Sequence, residues 1–100
     1  MKKHFFVSLL LALAIRPAVA DTVVVQKSRA FHPLEVTVDR GSVVTFTNND
    51  SYLHQIYVDG LFDSEEKAPG ENLNETFPQA GTFQVRCHIH PTMRMTVHVK

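Results

Sequence analysis

Seven consecutive residues, Cys87-His88-Ile89-His90-Pro91-Thr92-Met93, hold a thiol, two imidazoles and a thioether. Cys87 is the only cysteine, so it has no disulfide partner within the chain. A thiolate is a soft charged donor, and burying it uncompensated would cost roughly several kcal/mol. Binding a cation removes that cost, and thiolate plus imidazole suits copper or zinc. Cys87 and His90 lie three apart, with Pro91 stiffening the chain directly after the imidazole, so one tight loop can deliver both to one side of a metal. Met93, three residues on, can return along the loop as a weak axial donor. A set of one thiolate, two imidazoles and one thioether still needs a second imidazole, and His54 upstream can supply it. Such a set points to one copper ion per chain, cycling between Cu(I) and Cu(II).

Strand parity tests this assignment. In Thr82 to Cys87, the side chains of Phe83, Val85 and Cys87 share one face, and Thr82, Gln84 and Arg86 the other. Cys87 therefore points with the apolar residues, while His88 points away and is read as a surface residue rather than a ligand. The same count puts His54 with Ile56 and Val58. Met95 shares parity with Val97 and Val99 and is expected in the core, which leaves Met93 as the thioether candidate. His32 and His98 alternate with apolar neighbours and are expected to face solvent. The plainer alternatives are a buried inert thiol at Cys87 and a zinc site built from His54, Cys87, His88 and His90.

The elements that would position these donors are short strands. Thr22 to Gln26 is β-branched through its centre; Leu34, Val36 and Val38 alternate with polar residues. Val43 to Asn48, Gln55 to Val58, Leu73 to Phe77, Thr82 to Cys87 and Arg94 to Val99 complete the set, punctuated by Gly, Pro, Asn and Asp. After Asp21 no stretch sustains a helical period. This spacing indicates an all-β sandwich or barrel. The polar segment from Asp63 to Asn72 reads as a surface connection with room for one helical turn before Pro69.

Residues 1–20 are set aside from the fold. Lys2 and Lys3 precede an apolar run from Phe5 to Ile15, and Ala18-Val19-Ala20 offers the small residues a signal peptidase reads. The apolar run is too short to cross a bilayer, which takes roughly 20 residues. A secretory signal is expected over 1–20, with one domain over 21–100, exported to the periplasm and without stable membrane insertion after cleavage. Ten Lys+Arg balance ten Asp+Glu in the whole chain. Losing Lys2, Lys3 and Arg16 leaves seven against ten, a net charge of −3. That balance gives no basic footing for nucleic acid and would steer weakly toward a basic partner.

With these residues in place, the chain resembles the cupredoxins, the small blue-copper proteins, and among them the amicyanin- and plastocyanin-like members. The likeness rests on Cys87-x-x-His90-x-x-Met93, on Val44 to Asp50 leading to His54, and on Phe31-His32-Pro33 ahead of the strand from Leu34 to Val38. It implies a Greek-key β-sandwich with copper near one end, held by His54, Cys87 and His90 with Met93 axial. It also implies a non-enzymatic, monomeric electron carrier that exchanges electrons with redox proteins through the edge of His90. The chain departs from the family by having Leu53 where Pro usually precedes the first imidazole, Gln55 where Asn usually follows it, and Arg86 directly before the cysteine. Two other functions fit parts of the pattern. One is copper delivery, although an exchangeable site would be richer in methionine than three Met allow. The other is a small red-copper-type catalytic protein in which Glu65, Glu66 or Glu71 would join the metal.

Overall fold

A computed structural model describes residues 22–100, and the expected signal over 1–20 lies outside the described residues. The strands are β1 (Thr22–Lys27), β2 (Ala30–His32), β3 (Glu35–Val38), β4 (Ser42–Asn48), β5 (Ile56–Val58), β6 (Phe62–Asp63), β7 (Asn72–Phe77), β8 (Gly81–Cys87) and β9 (Arg94–Val99). They form one sheet in the order β2-β1-β4-β7 and a second in the order β3-β9-β8-β5-β6. The pairs β1/β4 and β3/β9 are parallel and the others antiparallel. The result is a β-sandwich, one of the two all-β forms that the strand spacing indicates, in the Greek-key arrangement that the family resemblance implies.

Alternation decides which residues fill the space between the sheets. Val24, Val44, Phe46 and Phe77 point inward from the first sheet, and Ile56, Val58, Val85, Cys87, Met95 and Val97 from the second. A run of aromatic contacts stitches the layers. Phe46 meets Phe62 at 6.4 Å between centroids, Phe62 meets Phe77 at 6.0 Å, and Phe77 meets Phe83 at 5.8 Å. These tilted or edge-on rings cross from sheet to sheet, each pair contributing roughly 0.5–1.5 kcal/mol beyond its buried area.

Three sequence expectations are corrected. Leu34 alternates with Val36 and Val38, yet it sits just before β3 and is 63% exposed. The segment from Asp63 to Asn72 contains no helical turn. It begins in β6, buries Ser64, and brings Lys67 into a bridge with His54. Strands β2 and β6 were not expected at all, being three and two residues long.

The β1–β2 connection shows why β2 is hard to anticipate. Lys27 pairs with Ala30, so Ser28 and Arg29 alone make the turn, at φ 55° and 54°. A two-residue hairpin of this hand normally uses Gly or Asn, because a Cβ is disfavoured there. Here the Asp50 carboxylate stabilises the conformation from outside, accepting hydrogen bonds from the Ser28 N–H at 2.6 Å and the Arg29 N–H at 2.8 Å.

Candidate metal centre

Cys87 ends β8, paired with Ile56 of β5, and is 1% exposed. His54 lies two residues before β5 and is fully buried. Its backbone is clamped to Lys67 in both directions, His54 N to Lys67 O at 3.1 Å and Lys67 N to His54 O at 2.8 Å. The loop that presents His54 is knotted by buried Asn48. That amide donates to the carbonyls of Tyr52 at 2.8 Å and Lys67 at 2.9 Å, and accepts from the Asp50 N–H at 2.9 Å. The downstream loop folds back at once: Met93 N donates to His90 O at 2.9 Å, which returns Met93 to a site where it is 1% exposed.

These constraints bring three donor atoms to one point. Cys87 Sγ lies 3.6 Å from His54 Nδ1 and 4.0 Å from His90 Nδ1, and the two nitrogens are 3.2 Å apart. Bonds to one ion of roughly 2.0 Å from imidazole and 2.3 Å from thiolate, opened by about 110–120°, would set the nitrogens about 3.3–3.5 Å apart and the sulfur about 3.5–3.7 Å from each, within about 0.3 Å of every observed edge. The triangle is therefore the size one transition-metal ion requires. Among the described residues, the metal-capable group of His, Cys and carboxylate side chains is His54, Cys87 and His90, with no carboxylate in it. Glu65 and Glu66 are exposed, and the Glu71 carboxylate accepts from the Ala68 N–H at 2.7 Å.

One residue that the sequence did not mark out orients the first imidazole. The far nitrogen of His54, Nε2, donates to Asp50 Oδ2 at 2.9 Å. With its proton committed there, His54 offers a bare Nδ1 to the donor triangle, the outer-shell arrangement common to metal-binding histidines. Burial opposes ionisation of Asp50, but the Arg29, His54 and Ser28 hydrogen bonds outweigh it and hold the carboxyl below its ordinary value. His90 is pushed the other way for an imidazole: burial, then the nearby His54 and Arg29, lower its proton affinity and favour the neutral ligand form. An Asp four residues before a His in a loop leaves no periodic trace, so only the fold could reveal this role.

The remaining site expectations resolve as follows. His88 points out of the sheet as parity predicts, bonding Asp63 at 3.1 and 3.2 Å and stacking on Tyr57 at 4.0 Å with 13° between planes. That anchoring removes His88 from the donor triangle. Gln55 braces the ligand loops through its backbone: its N–H points at Cys87 Sγ at 3.5 Å, and its carbonyl accepts from the His88 N–H at 2.9 Å. Met95 is buried like Met93, in the core strand where parity places it. Around half-buried His90, Tyr52, Leu53 and Ile89 are 45, 43 and 41% exposed. The Tyr52 ring meets His90 edge-on at 5.8 Å and carries the Arg29 guanidinium 4.7 Å from its centre.

Comparison with known proteins gives matching likenesses. Residues 18–100 match the family described as copper binding proteins, plastocyanin/azurin family. A plastocyanin from Scenedesmus fuscus is 32% identical over 76 residues, covering 60% of this chain and 74% of that protein. A purple cupredoxin from Nitrosopumilus maritimus superposes with a TM-score of 0.75 at 24% identity, over 80% of this chain and 100% of that one. An oxidised point mutant of amicyanin gives 0.74 at 26% identity, over 80% of this chain and 82% of the other.

Proposed function

The chain belongs to the plastocyanin/azurin family of copper-binding proteins, and on that footing we propose that it is a one-electron carrier with a single type I copper held by His54, Cys87, His90 and Met93. The observation that supports this most is the triangle of two Nδ1 atoms and one Sγ, built on a buried frame and sized for one ion. Bound copper supplies the one-electron Cu(I)/Cu(II) couple. The protein's part is to hold the donors still and keep the site dry. Cys87, His54 and Met93 are each 1% exposed or less, and the backbone bonds at Gln55, Lys67 and His90 fix both loops. A site that cannot rearrange spends little energy on changing shape between oxidation states.

Electrons enter and leave through His90, the one donor of the triangle that reaches the surface, inside the collar of Tyr52, Leu53 and Ile89. A small apolar collar suits brief docking with redox proteins, whose interfaces lie at the low end of the size range. Residues 1–20 act as a secretory signal, and residues 21–100 work in the periplasm as a monomer. The test is the visible spectrum of the copper-loaded protein. Strong absorption toward the red end is the expected mark of a Cu(II)–thiolate bond, and an oxidised, copper-loaded protein without colour would contradict the carrier reading.

Two paired substitutions check the ligand set. Met93→Leu should keep the colour and shift the reduction potential, whereas Met95→Leu should leave the potential close to its starting value. Equal shifts from both would overturn the assignment of Met93 as the thioether donor. His90→Gly should open the site to external imidazole, with a changed spectrum restored on adding it. His88→Ala should leave the absorption nearly intact, because His88 is bound to Asp63 and Tyr57 outside the donor triangle. Spectra of both variants loaded with copper decide the loop register.

A further inference from the structure

Arg86 and Arg94 are register partners across β8 and β9, and Arg86 faces Tyr57 of β5 on its other side. Their neighbours in sequence, Val85, Cys87, Met93 and Met95, are buried, which turns both guanidinium groups to the outer face of the sheet. Side chains paired this way start roughly 4.5–5.5 Å apart at Cβ, and like charges there repel. The fold leaves that repulsion in place. Among the described residues the ion pairs are His54–Asp50, His88–Asp63, His98–Glu35 and Lys100–Asp39, and neither arginine takes part in one. Asp63, the acid that pairs with Tyr57 at the end of the same row, is already bonded to His88.

The position of the pair adds to its chemistry. Arg86 immediately precedes Cys87 and Arg94 immediately follows Met93, so both flank proposed ligands. Two forked donors with no internal carboxylate are suited to bidentate carboxylate capture. We propose that Arg86 and Arg94 form a docking point for a carboxylate-rich face of the redox partner, beside the apolar collar around His90. The proposal rests on the carrier reading. It also reverses the expectation from net charge: the mature chain is acidic overall, but the wall next to its metal centre is locally basic. Charges at such a rim set the rate and salt dependence of encounter more than final affinity.

The experiment uses the copper-loaded, reduced mature protein at low ionic strength, labelled for amide chemical-shift mapping. Hexaglutamate is titrated in, with inorganic phosphate at matched charge as a separate arm. Shifts are expected to centre on Tyr57, Arg86 and Arg94, with hexaglutamate binding more tightly than phosphate. Arg86→Gln combined with Arg94→Gln should weaken hexaglutamate by about tenfold or more, since two charge-assisted pairs are lost. Arg40→Gln, at the opposite end of the sheet beside Lys100, should leave it unchanged. Arg86→Glu sets opposite charges across the register, so it should abolish binding while raising the melting temperature; this separates lost binding from lost folding. Shifts centred on Arg29 and Lys67, equal binding of phosphate, or undiminished affinity in the double variant would overturn the proposal. A copper-loaded protein that stays colourless after oxidation to Cu(II) sinks the carrier reading instead, a result that the shift maps of the reduced form do not influence.

Discussion

Cys87→Ser is expected to abolish the intense visible band of the copper-loaded protein and to weaken copper binding by more than the roughly 10–100-fold seen when only an outer-shell partner is lost. The thiolate is the one anionic donor in the triangle, and the visible absorption of a Cu(II)–thiolate site belongs to that bond. A serine hydroxyl has nearly the same shape but stays protonated and offers a neutral, harder oxygen. The apo fold should tolerate the change, because Cys87 packs among Ile56, Val85 and Met95 as a small buried side chain and the Gln55 N–H can donate to oxygen as well as to sulfur. Absorption spectra with copper and thermal unfolding without it separate the two effects. A serine variant that retains the band would remove Cys87 from the ligand set.

The features that made Cys87 and His54 legible in the sequence are periodic and local. Phe83, Val85 and Cys87 alternate along β8, and His54, Ile56 and Val58 alternate into β5, so parity alone aimed both donors at the interior. The outward turn of His88 followed from the same count, and the structure shows it paired with Asp63. What parity could not reach is contact across long stretches of chain. The segment holding Lys67 looked like a polar surface connection because nothing in its composition records that its backbone pairs with His54. Strand β2 escaped notice for a related reason: its turn, Ser28-Arg29, lacks the usual residues because the acceptor that stabilises it, Asp50, lies more than twenty positions away. Leu34 misled in the opposite direction, since an apolar residue in phase with a strand need not lie on the buried part of it.

Asp50 also gives the largest expected effect away from the donor atoms, because a single carboxylate serves two structures. Oδ1 accepts from Ser28 N–H, while Oδ2 accepts from Arg29 N–H and from His54 Nε2. Asp50→Ala deletes all three bonds and leaves two non-glycine residues in the left-handed region without support. Bonds to charged groups are worth roughly 1.5–3 kcal/mol each, so a loss of about 3 kcal/mol in apo stability is expected by chemical denaturation, after partial replacement by water. Copper affinity should fall about tenfold or more, since His54 is then free to place its proton on Nδ1, the nitrogen that faces the metal. Asp50→Asn tells the two roles apart. Its carbonyl oxygen can take the place of Oδ2 and keep both Arg29 and His54 bonded, but its NH2 group then faces the Ser28 N–H, donor against donor. That variant should therefore lose stability through the turn while keeping most of its copper affinity and colour. Asparagine would behave like alanine on both readouts only if the turn and the imidazole were not joined through one carboxylate.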